Sequence, residues 1–206
     1  MDMIQSLLPV PSPLIVVISG PSGVGKDSVV KRMAELGYPF HFVVTATTRP
    51  RRSTEVHGVD YYFLSQQEFA DMLARDEFLE HAIVYGEHKG IPKAHIRQAL
   101  ASGQDVVMRL DVQGAATVRR LVPDALLIFL STATEAELIR RLETRHTETS
   151  QALQQRIATV KEEMKQLPQF DYVVVNRDNR LDETVAQIGA IIAAEKCRVR
   201  PRMAKV

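Results

Sequence analysis

The sequence predicts an α/β fold, a doubly wound and mostly parallel sheet with helices on both faces, a small inserted lobe and a short lid. Three observations carry that expectation. Leu14-Ile15-Val16-Val17-Ile18 is an apolar, β-branched run that passes through a glycine-rich segment into a helix-patterned stretch from about Ser28 to Leu36. Further apolar runs alternate with helical patterns, and their continuous apolar character marks strands covered on both faces. A polar, turn-rich insertion at about 46–91 breaks that rhythm and suits a separate small lobe.

The elements follow in order. Residues 1–13 hold Pro9, Pro11 and Pro13 and suit a flexible lead. Phe42-Val43-Val44-Thr45 reads as a second strand, followed by short β-like runs through Phe63 that suggest a small antiparallel lobe. Ser65-Gln66-Gln67-Glu68 is a capping box that opens a helix. Phe78 to Val84 reads as a strand and Ile91 to Ala101 as a helix. The αβ alternation then resumes: strand 105–111, helix 113–121, strand 125–130 and helix 134–142. A polar stretch at about 143–151 has little to bury and suits a lid. A long helix to about Leu167 ends at Pro168, and strand 172–176 and helix 181–195 close the domain. The core is thus expected at about 14–45, 92–142 and 168–195, with a basic, solvated tail at 196–206.

Composition narrows the function classes. With 45% hydrophobic and 25% charged residues the chain is an ordinary globular protein, and a net charge of +1 gives no global pull towards nucleic acid or anionic membrane. No apolar run approaches the roughly 18 residues of a membrane span. The single cysteine, Cys197, forms no intramolecular disulfide. With no export signal at the start, the chain reads as cytoplasmic. The six histidines show no metal-ligand spacing.

The glycine-rich segment is Gly20-Pro21-Ser22-Gly23-Val24-Gly25-Lys26-Asp27. Between a strand and a helix, such a loop turns backbone N–H groups towards an anion, the helix N-terminus adds partial positive charge, and Lys26 supplies a full one. This is a P-loop, and it implies a nucleoside triphosphate with its Mg2+. Asp27 stands where Ser or Thr normally offers Mg2+ a hydroxyl, and Ser28 comes one residue late. Asp111, at the end of an apolar strand, is placed either near the metal and ligand or as a helix cap. Arginines gather in two regions: Arg49 and Arg52 after the second strand, and Arg141 and Arg145, four apart, with Arg156 on the following helix. Guanidinium groups suit the spread charge of a transferring phosphoryl group.

Taken together, these motifs resemble the guanylate kinases over about residues 14 to 195. The matching motifs are the loop 20–26, Thr47-Thr48-Arg49-Pro50, Glu55-Val56-His57-Gly58-Val59-Asp60-Tyr61, Asp111-Val112-Gln113-Gly114, Thr147-Glu148-Thr149 and Val173-Val174-Val175-Asn176. The resemblance implies transfer of the γ-phosphoryl of ATP to GMP or dGMP, with Mg2+ carried by ATP. It implies ATP and GMP as small-molecule partners, with neither nucleic acid nor membrane, for a monomer or homodimer. By resemblance, Gly20, Pro21, Ser22, Gly23, Val24, Gly25, Lys26, Asp27 and Ser28 hold ATP, and Asn176 meets the adenine edge. Arg49, Arg52 and Tyr61 bind the GMP phosphate, with Glu55 orienting the arginines. Thr45 and Glu80 meet guanine, Glu80 accepting its N1–H and amino protons. Asp111 stands between the substrates, Arg141 and Arg145 close from the lid, and Arg156 completes the charge clamp. The segment 46–91 becomes a GMP-binding lobe.

Four positions depart from that family pattern. Asp27 places a carboxylate beside Mg2+, a candidate metal ligand. Lys89 replaces a phosphate-binding Tyr and keeps a point charge there. Ile91 replaces a hydroxyl that touches the base, and Arg109 replaces an acid two residues before Asp111. Two other readings are a same-fold kinase for another phosphorylated acceptor, such as ribose 1,5-bisphosphate, and a guanylate-kinase-like binding module without catalysis. Lys26, Arg141 and Arg145 argue against the module; Thr45, Glu55, Tyr61 and Glu80 argue for GMP.

Overall fold

The computed structural model describes residues 11–84, 86–143 and 150–206, with side chains described at all of these except 84 and 150–156. Nine strands are assigned among them: β1 Ile15–Ser19, β2 His41–Phe42, β3 Ala46–Thr47, β4 Tyr62–Phe63, β5 Phe78–Val84, β6 Glu87–Pro92, β7 Val106–Arg109, β8 Leu126–Ser131 and β9 Tyr172–Val175. The helices are α1 Lys26–Glu35, α2 Gln66–Ala74, α3 Lys93–Ala101, α4 Val112–Leu121, α5 Glu135–Glu143, α6 Ser150–Met164 and α7 Leu181–Lys196. None of them is long and apolar enough to cross a membrane.

Five strands form one sheet in the order β2-β7-β1-β8-β9, every pair parallel. β1 lies at its centre and all five of its residues are buried. Its alternating side chains feed two cores, as a period of two requires. Val16 and Ile18 join Val29 and Met33 of α1 and Ile188 and Ile192 of α7 on one face. Ile15 and Val17 join Ile96 of α3 and Ala115 and Val118 of α4 on the other. Helices therefore cover both faces, and the loops after β1, β7, β8 and β9 share the carboxyl edge, where such sheets bind ligands.

The inserted segment forms a second sheet in the order β4-β3-β6-β5. It is mixed rather than antiparallel, because β3 pairs β4 in parallel while β6 runs antiparallel to both β3 and β5. The reason is the excursion from Thr48 to Tyr61, which returns the chain in its original direction where a tight hairpin would have reversed it. Of the expected strand 42–45 only Phe42 lies in a strand: His41–Phe42 pairs β7 in the large sheet, residues 43–45 link the two sheets, and Ala46–Thr47 pairs β6 in the small one. Ile91 and Pro92 finish β6 instead of starting α3, since a proline holds the residue before it extended. At α2 both capping-box bonds form, Ser65 Oγ accepting the Glu68 N–H at 3.1 Å and Glu68 Oε2 accepting the Ser65 N–H at 2.7 Å.

The basic tail is not a solvated end. It lies back against the domain, with Ala204 and Val206 packed on the second core. Arg202 Nε donates to Glu195 Oε2 at 2.8 Å, Tyr172 Oη to Glu195 Oε1 at 2.8 Å, and Arg198 lies 3.2 Å from the same carboxylate. Burial alone would raise the Glu195 pKa, but the bonds from Arg202 and Tyr172 bring it down to about 2. A carboxyl lowered in the folded state stabilises above its unfolded value of about 4.5, and that stabilisation is lost as pH falls towards about 2. Glu195→Gln is expected to cost on the order of 3 kcal/mol at neutral pH by urea unfolding. The gap to wild type is expected to narrow as pH falls below about 4.5, and a gap independent of pH would contradict this pairing.

Candidate active site

The loop after β1 is shaped by two close approaches. Gly20 has φ +137°, and a Cβ there would sit 2.1 Å from the Leu130 carbonyl oxygen, so only glycine lets the chain leave the sheet at this point. Gly25, with φ +95°, precedes α1, and a Cβ there would lie 2.5 Å from Asn176 Nδ2. Asn176 is buried behind the loop, its Nδ2 donating to the Val24 carbonyl at 2.8 Å and its Oδ1 accepting from the Thr184 hydroxyl at 3.2 Å. Lys26 Nζ donates to the carbonyls of Gly20 at 2.5 Å and Pro21 at 3.0 Å, and burial pulls its pKa down. The Ser22 N–H donates to Glu163 Oε2 of α6 at 3.2 Å, and burial pushes the Glu163 pKa up. A carboxylate thus stands on one of the loop's own N–H groups.

Beside the loop, between the large sheet's carboxyl edge and the small sheet, lies a cavity of about 250 Å³. The core lines it with Lys26, Asp27, Arg109, Leu110 and Asp111; the lobe lines it with Thr45, Tyr61, Glu80, Ala82, Lys89 and Ile91. Glu80 is pushed up to about 7, chiefly by burial and then by the charge of Asp111. Burial lowers Lys89, and the nearby Arg109 and Arg49 charges lower it further. Arg49 adjoins through Tyr61, its guanidinium 5.5 Å from the ring centroid, and donates to Glu55 Oε1 at 2.7 Å. The Arg52 N–H donates to Glu55 Oε2 at 2.9 Å, so one carboxylate holds both arginine positions, and those bonds keep its pKa low. The arrangement offers cations suited to phosphate and a half-buried carboxyl suited to a hydrogen-bond donor.

A family model described as guanylate kinase matches residues 12–195. The chain belongs to the guanylate kinase family. It is 51% identical over 203 residues to a rice (Oryza sativa subsp. japonica) protein named guanylate kinase 2, chloroplastic/mitochondrial, covering 98% of this chain and 71% of that one. It is 40% identical over 188 residues to a guanylate kinase of Symbiobacterium thermophilum, covering 91% and 88%. Among solved structures it matches a guanylate kinase from Anaplasma phagocytophilum with a TM-score of 0.72 and 27% identity, covering 91% of this chain and 88% of that one.

Within this guanylate kinase fold, the structure brings Lys26, Asp27, Thr45, Tyr61, Glu80, Lys89 and Asp111 to one cavity. Asp111 lines the cavity, and its Oδ1 accepts the Gly114 N–H at 2.8 Å as the cap of α4. Arg141 lies on the far side of the loop, donating to the carbonyls of Val24 at 3.2 Å and Asn176 at 2.8 Å and paired with Glu137 and Asp178. Arg145 lies outside the described residues, as does the side chain of Arg156 on α6. Three expected site residues stand outside the cavity's lining. Asn176 engages its amide with Val24 and Thr184 and so braces the loop. Ser28 is exposed on α1 and does not line the cavity, because the helix turn carries it away. Arg52 is exposed and meets Glu55 through its backbone.

Asp27 is also engaged. Its Oδ1 lies 2.7 Å from Arg109 Nη1, so the carboxylate that replaces a hydroxyl meets the arginine that replaces an acid. Glu163, Glu137 and Asp178 also escaped the sequence analysis; each looks like an ordinary solvated helix or loop acid until the fold sets it beside the loop. Among the described residues no cluster of three or more His, Cys, Asp or Glu side chains forms a metal cage. Mg2+ that arrives on a triphosphate needs only one or two carboxylates, and the cavity offers Asp111 and Asp27.

The raised Glu80 pKa has a stability consequence. A carboxyl raised in the folded state costs nothing below its unfolded value of about 4.5, and its cost grows as pH rises to about 7. Glu80→Gln is therefore expected to melt above wild type on the alkaline side of 7, by no more than about 3 kcal/mol. That margin is expected to vanish near about pH 4.5. Equal melting across the range would show that Glu80 is solvated.

Proposed function

We propose that this chain catalyses transfer of the γ-phosphoryl group from ATP to GMP, giving ADP and GDP. The observation that carries the reading is Glu80, a carboxyl lining the same cavity as the P-loop lysine Lys26. Guanine presents N1–H and amino donors side by side, which an ionised carboxylate accepts together; adenine lacks that pair. Thr45, which carries a hydroxyl, lines the same cavity. Arg49, held by Glu55, and Lys89 and Tyr61 beside it suit the phosphate of GMP.

At the donor side the triphosphate takes the Ser22 N–H from Glu163 and the Lys26 ammonium from the loop carbonyls. A phosphate oxygen of GMP attacks the γ-phosphorus, the bond to the β,γ-bridging oxygen breaks, and ADP leaves with that oxygen and its electron pair. No protein group bonds covalently to the phosphoryl group; Lys26, Arg49 and Lys89 position it and offset its charge. Mg2+ carried by ATP would neutralise phosphate charge, and Asp111 and Asp27 are the cavity carboxylates that would hold it. The lobe 46–91 acts as the acceptor-binding domain, and 143–151, with Arg145, as the lid. The single exposed thiol, Cys197, is consistent with a reducing, cytoplasmic setting, while the rice relative is named for plastid and mitochondrion.

A coupled ADP-release assay tests the reading, with GMP, AMP, UMP and ribose 1,5-bisphosphate as acceptors. Turnover is expected with GMP alone. Lys26→Ala and Arg49→Ala are each expected to reduce kcat/KM by at least about 10²-fold, and Glu80→Ala to erase the preference for GMP. Turnover of ribose 1,5-bisphosphate in place of GMP would make the apolar Ile91 the informative wall of the cavity. ATP binding without turnover of any acceptor would leave a binding module.

A further inference from the structure

The geometry points to Arg109 as a further phosphate-binding residue of this site, bridging the donor and acceptor ends, with Asp27 as the residue that positions it. The inference rests on the phosphotransfer reading above and adds to it a cation that the P-loop and the acceptor arginines do not supply.

Register puts Arg109 in place. It ends β7 opposite Ile18 of β1, and the Leu110 N–H donates to the Ile18 carbonyl at 3.2 Å, so the side chain emerges beside the point where β1 becomes the loop. From there it reaches Asp27, in the first turn of α1 and next to Lys26. Arg109 lines the same cavity as Lys26 and Lys89. Its charge acts on both lysines, the donor-side Lys26 and the acceptor-side Lys89. A cation between two phosphate sites is where a phosphoryl group in transit carries its charge, and a planar guanidinium reaches two oxygens at once.

Asp27 explains how such a cation waits there. Arg109 would otherwise repel Lys26 and Lys89, and Asp27 alone would repel phosphate. Paired, they leave no net charge. The Asp27 side chain is 66% exposed and that of Arg109 33%, so the pair is wet and only weakly held. Phosphate can draw the guanidinium over at little cost. Asp27 is thereby a positioning carboxylate for Arg109.

A mutant cycle on the full-length chain tests this, with kcat and both KM values measured at saturating Mg2+ and ADP affinity measured by calorimetry without Mg2+. Arg109→Ala is expected to lower kcat by about 10²-fold with a smaller change in the KM for GMP. It should also weaken metal-free ADP, because Asp27 is left bare beside the phosphates. Adding Asp27→Ser should restore that affinity but not kcat. Arg109→Lys should keep the affinity and recover part of kcat, a rescue that a structural role for the pair would not give. An Arg109→Ala kcat within about threefold of wild type, or independent additive effects of the two substitutions on ADP affinity, would overturn the inference. Absence of GMP turnover by the wild-type chain would instead overturn the phosphotransfer reading itself.

Discussion

The site depends on how β1 ends. Its five residues are buried between β7 and β8, and the chain must turn out of that sheet within a single residue. Gly20 makes the turn because no Cβ fits against the Leu130 carbonyl. The rest of the loop inherits its direction from that exit. It is then held from behind by Asn176, whose amide reaches Val24 from the end of β9. A loop fixed at both ends by the sheet keeps its N–H groups aimed in advance, and aimed dipoles stabilise transferring charge without reorganising.

Around this loop the protein supplies its own anions. Glu163 takes the Ser22 N–H, Glu55 takes Arg49, Glu137 and Asp178 take Arg141, and Asp27 takes Arg109. Cations gathered at one site repel one another, and acids that can be exchanged for phosphate keep them in position. Asp27–Arg109 is the most solvated of these ion pairs, so it contributes little to stability and is readily given up. Glu80 plays a different part. It faces the cavity with its charge disfavoured by burial, and a ligand presenting two donors would reverse that balance.

The sequence makes legible whatever is local. The loop motif, the strand–helix alternation, the Ser65 cap and the pairing of Glu55 with nearby Arg49 all lie within short windows. The pairs that need strand order are hidden. Asp27 and Arg109 meet only because β7 lies next to β1, so two departures from the family pattern that look unrelated in the chain are one compensated change in space. Asn176 carries the right motif but turns its amide inward, since Val24 and Thr184 already flank it. The run 42–45 reads as one strand because periodicity does not reveal a change of sheet, and the tail looks solvated because its charges do not show that Glu195 and Asp171 await them.

The claim that joins these observations is that the loop at 20–27 is a donor-phosphate site occupied by the protein's own carboxylate until nucleotide arrives. Amide-detected NMR during titration with Mg2+–ADP tests it most directly. The account predicts saturable shifts at the Ser22, Gly23, Gly25 and Lys26 amides, together with a change in the Glu163 side-chain carboxyl resonance as it leaves Ser22. Saturation of nucleotide binding with those amides and that carboxyl unmoved would contradict it.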